Sequence, residues 1–204
     1  MRKKLLLLFI AGLVLALGTL AGWYYWTHRY DELIASTARQ HGLDPALVKA
    51  IIYEESFFRS NAQSSQNAVG LMQVTPIVVK EWIDSTRSRT LGEAVAGISD
   101  QYDRNADLTF EEALKDPVVS LHIGCWYLQT LLNRYKDESA PLAVALAAYN
   151  AGPTNVERWA SEQDRSRLSS EQFIARIQFP ATRDYVQKII ERYGYYRRDQ
   201  DIKD

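Results

Sequence analysis

An apolar run from Leu5 to about Gly22 constrains this chain more than any other feature of its sequence. Three basic residues at positions 2–4 precede it, and an aromatic cluster at positions 23–26 follows it. Cations resist translocation across a bilayer, and amphipathic rings favour the headgroup region. About eighteen helical residues span roughly 27 Å, enough for a thin bilayer core. The run therefore predicts a transmembrane helix.

A cleaved signal peptide is the alternative, since small residues such as Ala16, Gly18 and Ala21 offer a weak cleavage site. The length of the run and the bulky cluster after it favour an uncleaved anchor. The positive-inside rule then places the N-terminus in the cytoplasm. We expect a single-pass protein of the inner (cytoplasmic) membrane, with residues 1–30 as anchor and residues 31–204 as one domain in the periplasm or otherwise outside the cytoplasm.

Composition excludes several classes of function. Residues 1–30 carry four basic and no acidic side chains, which leaves 20 basic against 25 acidic for the domain. Such a surface lacks the basic stripe that binds nucleic acid. The single cysteine, Cys125, lies in an apolar-periodic stretch and is expected to be a core residue. With three histidines and no metal-ligand spacing, we expect no metal ion. We also expect no cofactor and a monomer.

The domain shows helical periodicity, no alternating strand pattern and no repeat, so its expected class is all-α. Asp44-Pro45 and Asp116-Pro117 each resemble an N-cap followed by proline at the first helical position. Residues 59–70 are expected to form a loop with strand-like turns, and residues 85–112 are the least certain stretch. The pattern predicts helices at 31–40, 45–58, 76–84, 117–135, 142–149, 156–160 and 181–193, with 142–149 central because it is apolar nearly all round.

Two adjacent acids, Glu54 and Glu55, end the otherwise apolar helix that starts at Pro45. Helix C-termini favour cations, so carboxylates there need a reason. A carboxyl group near apolar side chains has a raised pKa, which suits a proton donor for cleaving a glycosidic bond. On a helical wheel both acids lie at comparable angles to the apolar face. Periodicity therefore does not decide which one is buried.

Short motifs in a fixed order carry a resemblance to a known family. They are Ala38–Pro45, Glu55-Ser56, Gly70-Leu71-Met72-Gln73, Ala148-Tyr149-Asn150-Ala151-Gly152 and Thr182-Arg183-Asp184-Tyr185-Val186. Together, over about 150 residues, they resemble the soluble lytic transglycosylases, goose-type-lysozyme-like enzymes that cut bacterial peptidoglycan. The resemblance implies a lysozyme-like helical fold. It also implies cleavage of the β-1,4 bond between N-acetylmuramic acid and N-acetylglucosamine, with a 1,6-anhydromuramic acid end.

The resemblance assigns roles that spacing alone does not. The family's catalytic glutamate directly precedes serine, so the role falls on Glu55, and Glu54 becomes a solvated or subsite-lining neighbour. The other implied substrate-binding residues are Ser56, Met72, Gln73, Tyr149, Asn150 and Tyr185. Among them Tyr185 would orient the Glu55 carboxyl group, and for Met72 a packing role is favoured over contact with substrate. Thr75, Ala181 and the long 85–112 stretch depart from the family pattern at places that affect packing or the shape of the cleft, and the core motifs remain intact.

Three alternatives remain beside the transglycosylase. A lysozyme-like hydrolase on the same fold would need a second carboxylate to activate water, for which Asp100, Asp103 and Glu111 are candidates. An inactive glycan-binding module would have no use for intact Glu55, Gln73 and Asn150. A wall-opening enzyme recruited by an envelope machine is a third possibility, but the sequence shows no separate recognition domain. Peptidoglycan glycan strands are the expected partner in each case.

Overall fold

Helices dominate residues 2–201, the part of the chain that the computed structural model describes. The α-helices are α1 (Arg2–His28), α2 (Asp31–Gln40), α3 (Pro45–Ser56), α4 (Pro76–Thr86), α5 (Leu91–Val95), α6 (Phe110–Lys115), α7 (Pro117–Arg134), α8 (Pro141–Ala151), α9 (Pro153–Trp159), α10 (Glu162–Arg165), α11 (Ser170–Arg176) and α12 (Pro180–Asp201). Strand pairing among these residues is limited to isolated antiparallel bridges, which join Gln63 to Val69 and Val69 to Val74. The all-α prediction and the strand-like turns of the 59–70 loop are confirmed.

The predicted N-caps form as expected. Asp44 Oδ1 accepts a hydrogen bond of 2.9 Å from the backbone N–H of Ala46, and α3 begins at Pro45. Asp116 Oδ1 accepts one of 2.8 Å from Val118, and α7 begins at Pro117. Each carboxylate satisfies a backbone donor that has no partner within the helix. The C-terminal bound of α3 was predicted two residues too late, because Phe57 and Phe58 leave the helical conformation.

Four short helices, α5, α6, α10 and α11, were not predicted. Their N-termini nevertheless carry a sequence signature, since α6 and α11 begin with complete capping boxes, Thr109 with Glu112 and Ser169 with Gln172. The uncertain 85–112 stretch thus contains α5 and the start of α6. A Cβ on Gly92 would lie 2.4 Å from the carbonyl oxygen of Ala106, so this stretch folds back closely on itself.

The core is centred on α8, as predicted from its apolar composition. All residues from Ala143 to Ala148 are buried, and α7, α9, α11 and α12 pack around them. Helix α12 also lies along α3, whose other neighbour is α2. Cys125 on α7 is fully buried, and burial raises the pKa of its thiol to about 12. The prediction that it is a core residue is confirmed.

Helix α1 differs from all the others in its surroundings. Every side chain from Leu6 to Tyr25 is exposed, although this stretch contains most of the large apolar residues of the helix. By length and composition α1 can cross a membrane, and a signal sequence near the N-terminus would meet the same criteria. Exposed apolar surface of this extent in water is unfavourable, so α1 points to membrane association.

Candidate functional site

Helix α3 ends in two acids that the tertiary structure places in different environments. The phenol of Tyr185 donates a hydrogen bond of 2.6 Å to Oε1 of Glu55. Glu54 instead accepts from Nε and Nη2 of Arg192, at 2.9 and 2.7 Å. The side chain of Glu54 is only 15% exposed and ion-paired, which disagrees with the solvated alternative for this residue and leaves the subsite-lining one open. The guanidinium of Arg192 also stacks on the ring of Tyr53.

Burial raises the pKa of Glu55 to about 7. Loss of hydration disfavours the carboxylate and is the largest cause. The hydrogen bond from Tyr185 opposes it by stabilising the charged form, and the negative charge of Glu54 adds a further rise. Near neutral pH, Glu55 is therefore present in both protonated and charged forms. Such a group can donate a proton and later take one back.

The side chains of Ser56 and Met72, two of the residues expected at the substrate, lie in the interior. Ser56 is 2% exposed, and its hydroxyl donates to the carbonyl oxygens of Leu71 and Ile52, at 2.8 and 3.1 Å. Met72 is fully buried against Gly124, where a Cβ would lie 2.5 Å from the methionine sulfur. Both residues fasten the 70–73 segment to the helices beneath it, as the packing alternative for Met72 anticipated.

The 70–73 segment depends on unusual backbone geometry at both its ends. Gly70 has φ +86°, and a Cβ there would lie 2.2 Å from the carbonyl oxygen of Leu114. Only glycine accepts both the positive φ and the close approach. Gln73 also has a positive φ, of 47°. Its Nε2 group donates to the carbonyl oxygens of Ala62 and Gly70, each at 3.1 Å, which closes the loop on itself.

A pocket of about 180 Å³ brings together three of the predicted residues, Gln73, Tyr149 and Asn150. Asn150 Oδ1 accepts a hydrogen bond of 2.7 Å from the hydroxyl of Thr182, and the Tyr149 phenol donates one of 2.9 Å to the carbonyl oxygen of Met72. Gln73 uses its amide hydrogens within the loop and Asn150 uses its amide oxygen. The groups left for a ligand are Gln73 Oε1 and Asn150 Nδ2.

Glu55 does not line this pocket, whereas Tyr149 lines it and also lies close enough to Glu55 to be affected by its charge. Burial raises the pKa of the Tyr149 phenol well above its ordinary value, and the charge of Glu55 is the second cause. The Tyr185 phenol is shifted in the same direction, first by burial and then by Glu55. Both phenols therefore remain neutral donors beside the carboxyl group. Two tyrosines thus connect the acid to the amide-lined pocket.

One face of α12 builds much of this arrangement. Thr182, Tyr185 and Arg192 follow each other at three- and seven-residue steps and contact Asn150, Glu55 and Glu54 respectively. Sequence reasoning identified Tyr185 but missed Thr182 and Arg192 as contacts of the site. The helical spacing from Tyr185 to Arg192 was the available signal. Among the side chains that the structure describes, no three of His, Cys, Asp or Glu meet closely enough to hold a metal ion.

Comparisons with known proteins give independent evidence on the family of the chain. Residues 32–171 match the model of the Transglycosylase SLT domain. The chain is 32% identical over 127 residues to the membrane-bound lytic murein transglycosylase F of Desulfosudis oleivorans, covering 61% of this chain and 22% of that protein. It is 27% identical over 169 residues to the soluble lytic murein transglycosylase of Escherichia coli K12, covering 82% and 23%.

The solved structures show the same fold. The lytic transglycosylase Slt of Pseudomonas aeruginosa, determined as an inactive mutant, superposes with a TM-score of 0.66 at 28% identity and covers 85% of this chain and 24% of its own. This likeness confirms the expected lysozyme-like helical fold. The chain spans about a quarter of the length of these relatives. It belongs to the SLT family of lytic transglycosylases.

Proposed function

We propose that this chain is a peptidoglycan lytic transglycosylase whose catalytic residue is Glu55. The observation that carries the proposal is the burial of Glu55 beside the Tyr185 phenol, which holds a protonatable carboxyl group in one orientation at the end of α3. Glycosidic cleavage needs such an acid, because an alkoxide leaving group must be protonated. Membership of the SLT family and the names of the relatives support the same substrate, the glycan strands of peptidoglycan.

The pocket beside the acid fits an N-acetyl group. Such a group presents one amide N–H and one carbonyl oxygen, and Gln73 Oε1 and Asn150 Nδ2 are the complementary acceptor and donor. Tyr149 contributes an aromatic side chain that lines the pocket and lies near Glu55. We assign substrate binding to Gln73, Tyr149 and Asn150, and orientation of the acid to Tyr185. Ser56 and Met72 support the site from the core.

In the proposed reaction Glu55 first donates its proton to the oxygen that bridges N-acetylmuramic acid and N-acetylglucosamine, and the glycosidic bond breaks. The carbonyl oxygen of the substrate's own N-acetyl group stabilises the positive anomeric carbon. Glu55, now a carboxylate, then accepts the proton of the muramic C6 hydroxyl, whose oxygen attacks the anomeric carbon. A tethered nucleophile has a high effective concentration. The product is a 1,6-anhydro ring, and Glu55 returns to its protonated form.

A hydrolase with a second carboxylate has less support. Asp103 Oδ1 accepts a hydrogen bond from the backbone of Asn105, and Glu111 forms an ion pair with Lys115. Asp100 is exposed. The partners of Asp103 and Glu111 are thus local ones in the 85–115 region, whereas the contacts of Glu55 come from α12. An inactive binding module would not need a buried acid with a raised pKa.

We further propose that α1 is an uncleaved single-pass anchor of the inner membrane. Residues 1–30 would form the anchor, and residues 31–204 the catalytic domain on the periplasmic side. The basic residues before α1, the exposed apolar helix and the membrane-bound relative support this arrangement. We expect the enzyme to act as a monomer without a cofactor.

Mass spectrometry of the products tests the proposed reaction directly. Purified sacculi are digested with the full-length chain in detergent, and the glycan ends are examined. The expected muropeptides end in the anhydro form, which is lighter by one water than a reducing end. Glu55→Gln should release none while unfolding cooperatively as the parent does. Reducing ends from the parent would show a hydrolase instead, and full activity of Glu55→Gln would contradict the assignment.

A further inference from the structure

The end of α3, the helix that carries Glu55, is held by residues at the end of α1 and directly after it. Nε1 of Trp26, in the last turn of α1, donates a hydrogen bond of 2.9 Å to the carbonyl oxygen of Phe57. Nη2 of Arg29, in the turn after α1, donates to the carbonyl oxygen of Phe58. These acceptors are the first two residues after α3, only two and three positions beyond Glu55.

The acceptors have a backbone that needs support. Phe57 and Phe58 both have positive φ, 50° and 60°, a region that bulky side chains rarely occupy. Carbonyl groups at the end of a helix also lack partners within the helix and carry partial negative charge. The indole N–H of Trp26 and the guanidinium of Arg29 give these carbonyl groups hydrogen-bond donors, and the two bonds help to hold the unusual backbone conformation. The side chain of Phe58 is in addition fully buried in the core, which further fixes this part of the chain.

The donors themselves are mutually ordered. The guanidinium carbon of Arg29 lies 3.5 Å from the centroid of the Trp26 ring and 4.9 Å from that of Tyr30. A cation above an aromatic face is attracted by the ring quadrupole. The Arg29 guanidinium is therefore held against the rings of Trp26 and Tyr30. This packing keeps both donors in position for the carbonyl groups of Phe57 and Phe58.

A second contact joins the same part of the chain to the middle of α3. Lys49 is 8% exposed, and its Nζ donates a hydrogen bond of 2.8 Å to Asp31 Oδ2 at the start of α2. Residues 26–31, which we term the junction segment, thus contact α3 at its centre and at its end. A flexible linker would leave both places to solvent.

We propose that the junction segment positions the catalytic helix, with Trp26 and Arg29 as positioning residues for Glu55. Membrane helix and catalytic domain are then docked on each other. The last turn of α3 carries Glu55 against Tyr185, and the segment holds the carbonyl groups of the two residues that directly follow this turn. The catalytic part of this inference rests on the proposed function of Glu55. The structural part of the inference, that the segment orders the end of α3, is independent of that function.

Paired variants of the full-length chain in detergent micelles test the proposal. Trp26→Phe removes the indole donor and keeps a ring, and Arg29→Gln removes the cation. Matched controls are Trp23→Phe, at a side chain that is 53% exposed, and Arg39→Gln, at an exposed position on α2. The measurements are kcat and KM for release of anhydro-ended fragments from soluble uncrosslinked glycan strands, and amide hydrogen exchange of residues 56–60.

We expect each junction variant to lower kcat about five- to tenfold with KM within about twofold, since one hydrogen bond to the helix end is lost. Exchange at residues 56–60 should become faster, while exchange of the α8 core stays unchanged. Arg29→Lys should recover much of the kcat by restoring a cation at the helix end. Both controls should match the parent.

Several results would overturn the proposal. One is a kcat equal to that of the parent in both junction variants. Another is a loss of kcat in Trp23→Phe as large as in the junction variants, because such a loss would indicate a general effect of the membrane interface. A loss that disappears on correction for the folded fraction also counts against it. If the parent itself makes no anhydro ends, the proposed function fails separately. Hydrogen exchange then decides the structural part, which unchanged exchange in both variants would refute.

Discussion

The Tyr185 phenol donates a 2.6 Å hydrogen bond to Glu55 Oε1 across 130 positions of sequence. This contact stabilises the carboxylate and so holds the pKa of Glu55 below the value that burial alone would give. It also fixes the direction of a carboxyl group that stands at the end of a helix. The proposed acid depends on both effects.

Tyr185→Phe should therefore change both the pH profile and the rate. Loss of the donor raises the pKa of Glu55 further, so the basic limb of kcat/KM moves to higher pH. The carboxyl group also loses its fixed orientation, and we expect kcat at the optimum to fall about tenfold. Steady-state rates between pH 5 and 9 measure both. Tyr195→Phe, on the same helix at a side chain that is 58% exposed, is the control and should behave as the parent.

The titration of Glu55 itself should limit activity above neutral pH. Only the protonated acid can donate to the leaving oxygen, so kcat/KM is expected to fall as the pH rises through about 7, approaching tenfold per unit. The pH dependence of kcat/KM on a soluble glycan strand measures this. A profile that stays level up to pH 9 would show that Glu55 titrates elsewhere or is not the acid.

The same shift makes a prediction for stability. Folded Glu55 holds its proton to a higher pH than the unfolded chain, whose carboxyl titrates near 4.5, so the folded state binds more protons between these values. Stability is then fully present below about pH 4.5 and declines as the pH rises to about 7, by roughly 3 kcal/mol in total. Glu55→Gln should lack this decline. Denaturant unfolding of both proteins at pH 5 and pH 8 measures the difference, and equal declines would contradict it.

Glu54→Gln should shift the pKa of Glu55 in the opposite direction to Tyr185→Phe. The charge of Glu54 helps to raise the pKa of Glu55, so its removal moves the basic limb to lower pH while most activity remains. The ion pair with Arg192 is lost as well, at a cost of about 1 kcal/mol because both side chains are partly exposed. Rate profiles and chemical denaturation check these two outcomes. Loss of all activity in this variant would reverse the roles of the two acids.

Gly70 and Gly152 form a natural pair of test positions, because both have φ +86°. Alanine at Gly152 meets open space, so its cost is the backbone strain alone, about 1–3 kcal/mol for a side chain at φ 86° and ψ 149°. Alanine at Gly70 would in addition meet the carbonyl oxygen of Leu114 at 2.2 Å. Gly70→Ala should therefore be the more destabilising by at least about 2 kcal/mol. Thermal unfolding of the two variants compares them, and equal losses would show that the loop yields.

Local patterns were sufficient to predict much of the fold. The aspartate-proline pairs at residues 44–45 and 116–117 determine where α3 and α7 begin, since a cap and a fixed φ act within one turn. The capping boxes at Thr109 and Ser169 show that the same local logic extends to short helices that were not predicted. The end of α3 was harder to predict from the sequence, because nothing in the local sequence favours two phenylalanines with positive φ. Their conformation is held by Trp26 and Arg29 from outside the helix.

By itself, the sequence determined the helical class, the apolar N-terminal helix and the central place of α8. Its ordered motifs also led to the proposal that Glu55 is the acid. Only the tertiary structure decided how the two acids differ, because Tyr185 and Arg192 reach them from a helix more than a hundred residues away. It also decided that Ser56 and Met72 lie inside rather than in the pocket. Helical periodicity places side chains on a face, but burial and charge depend on what packs against that face.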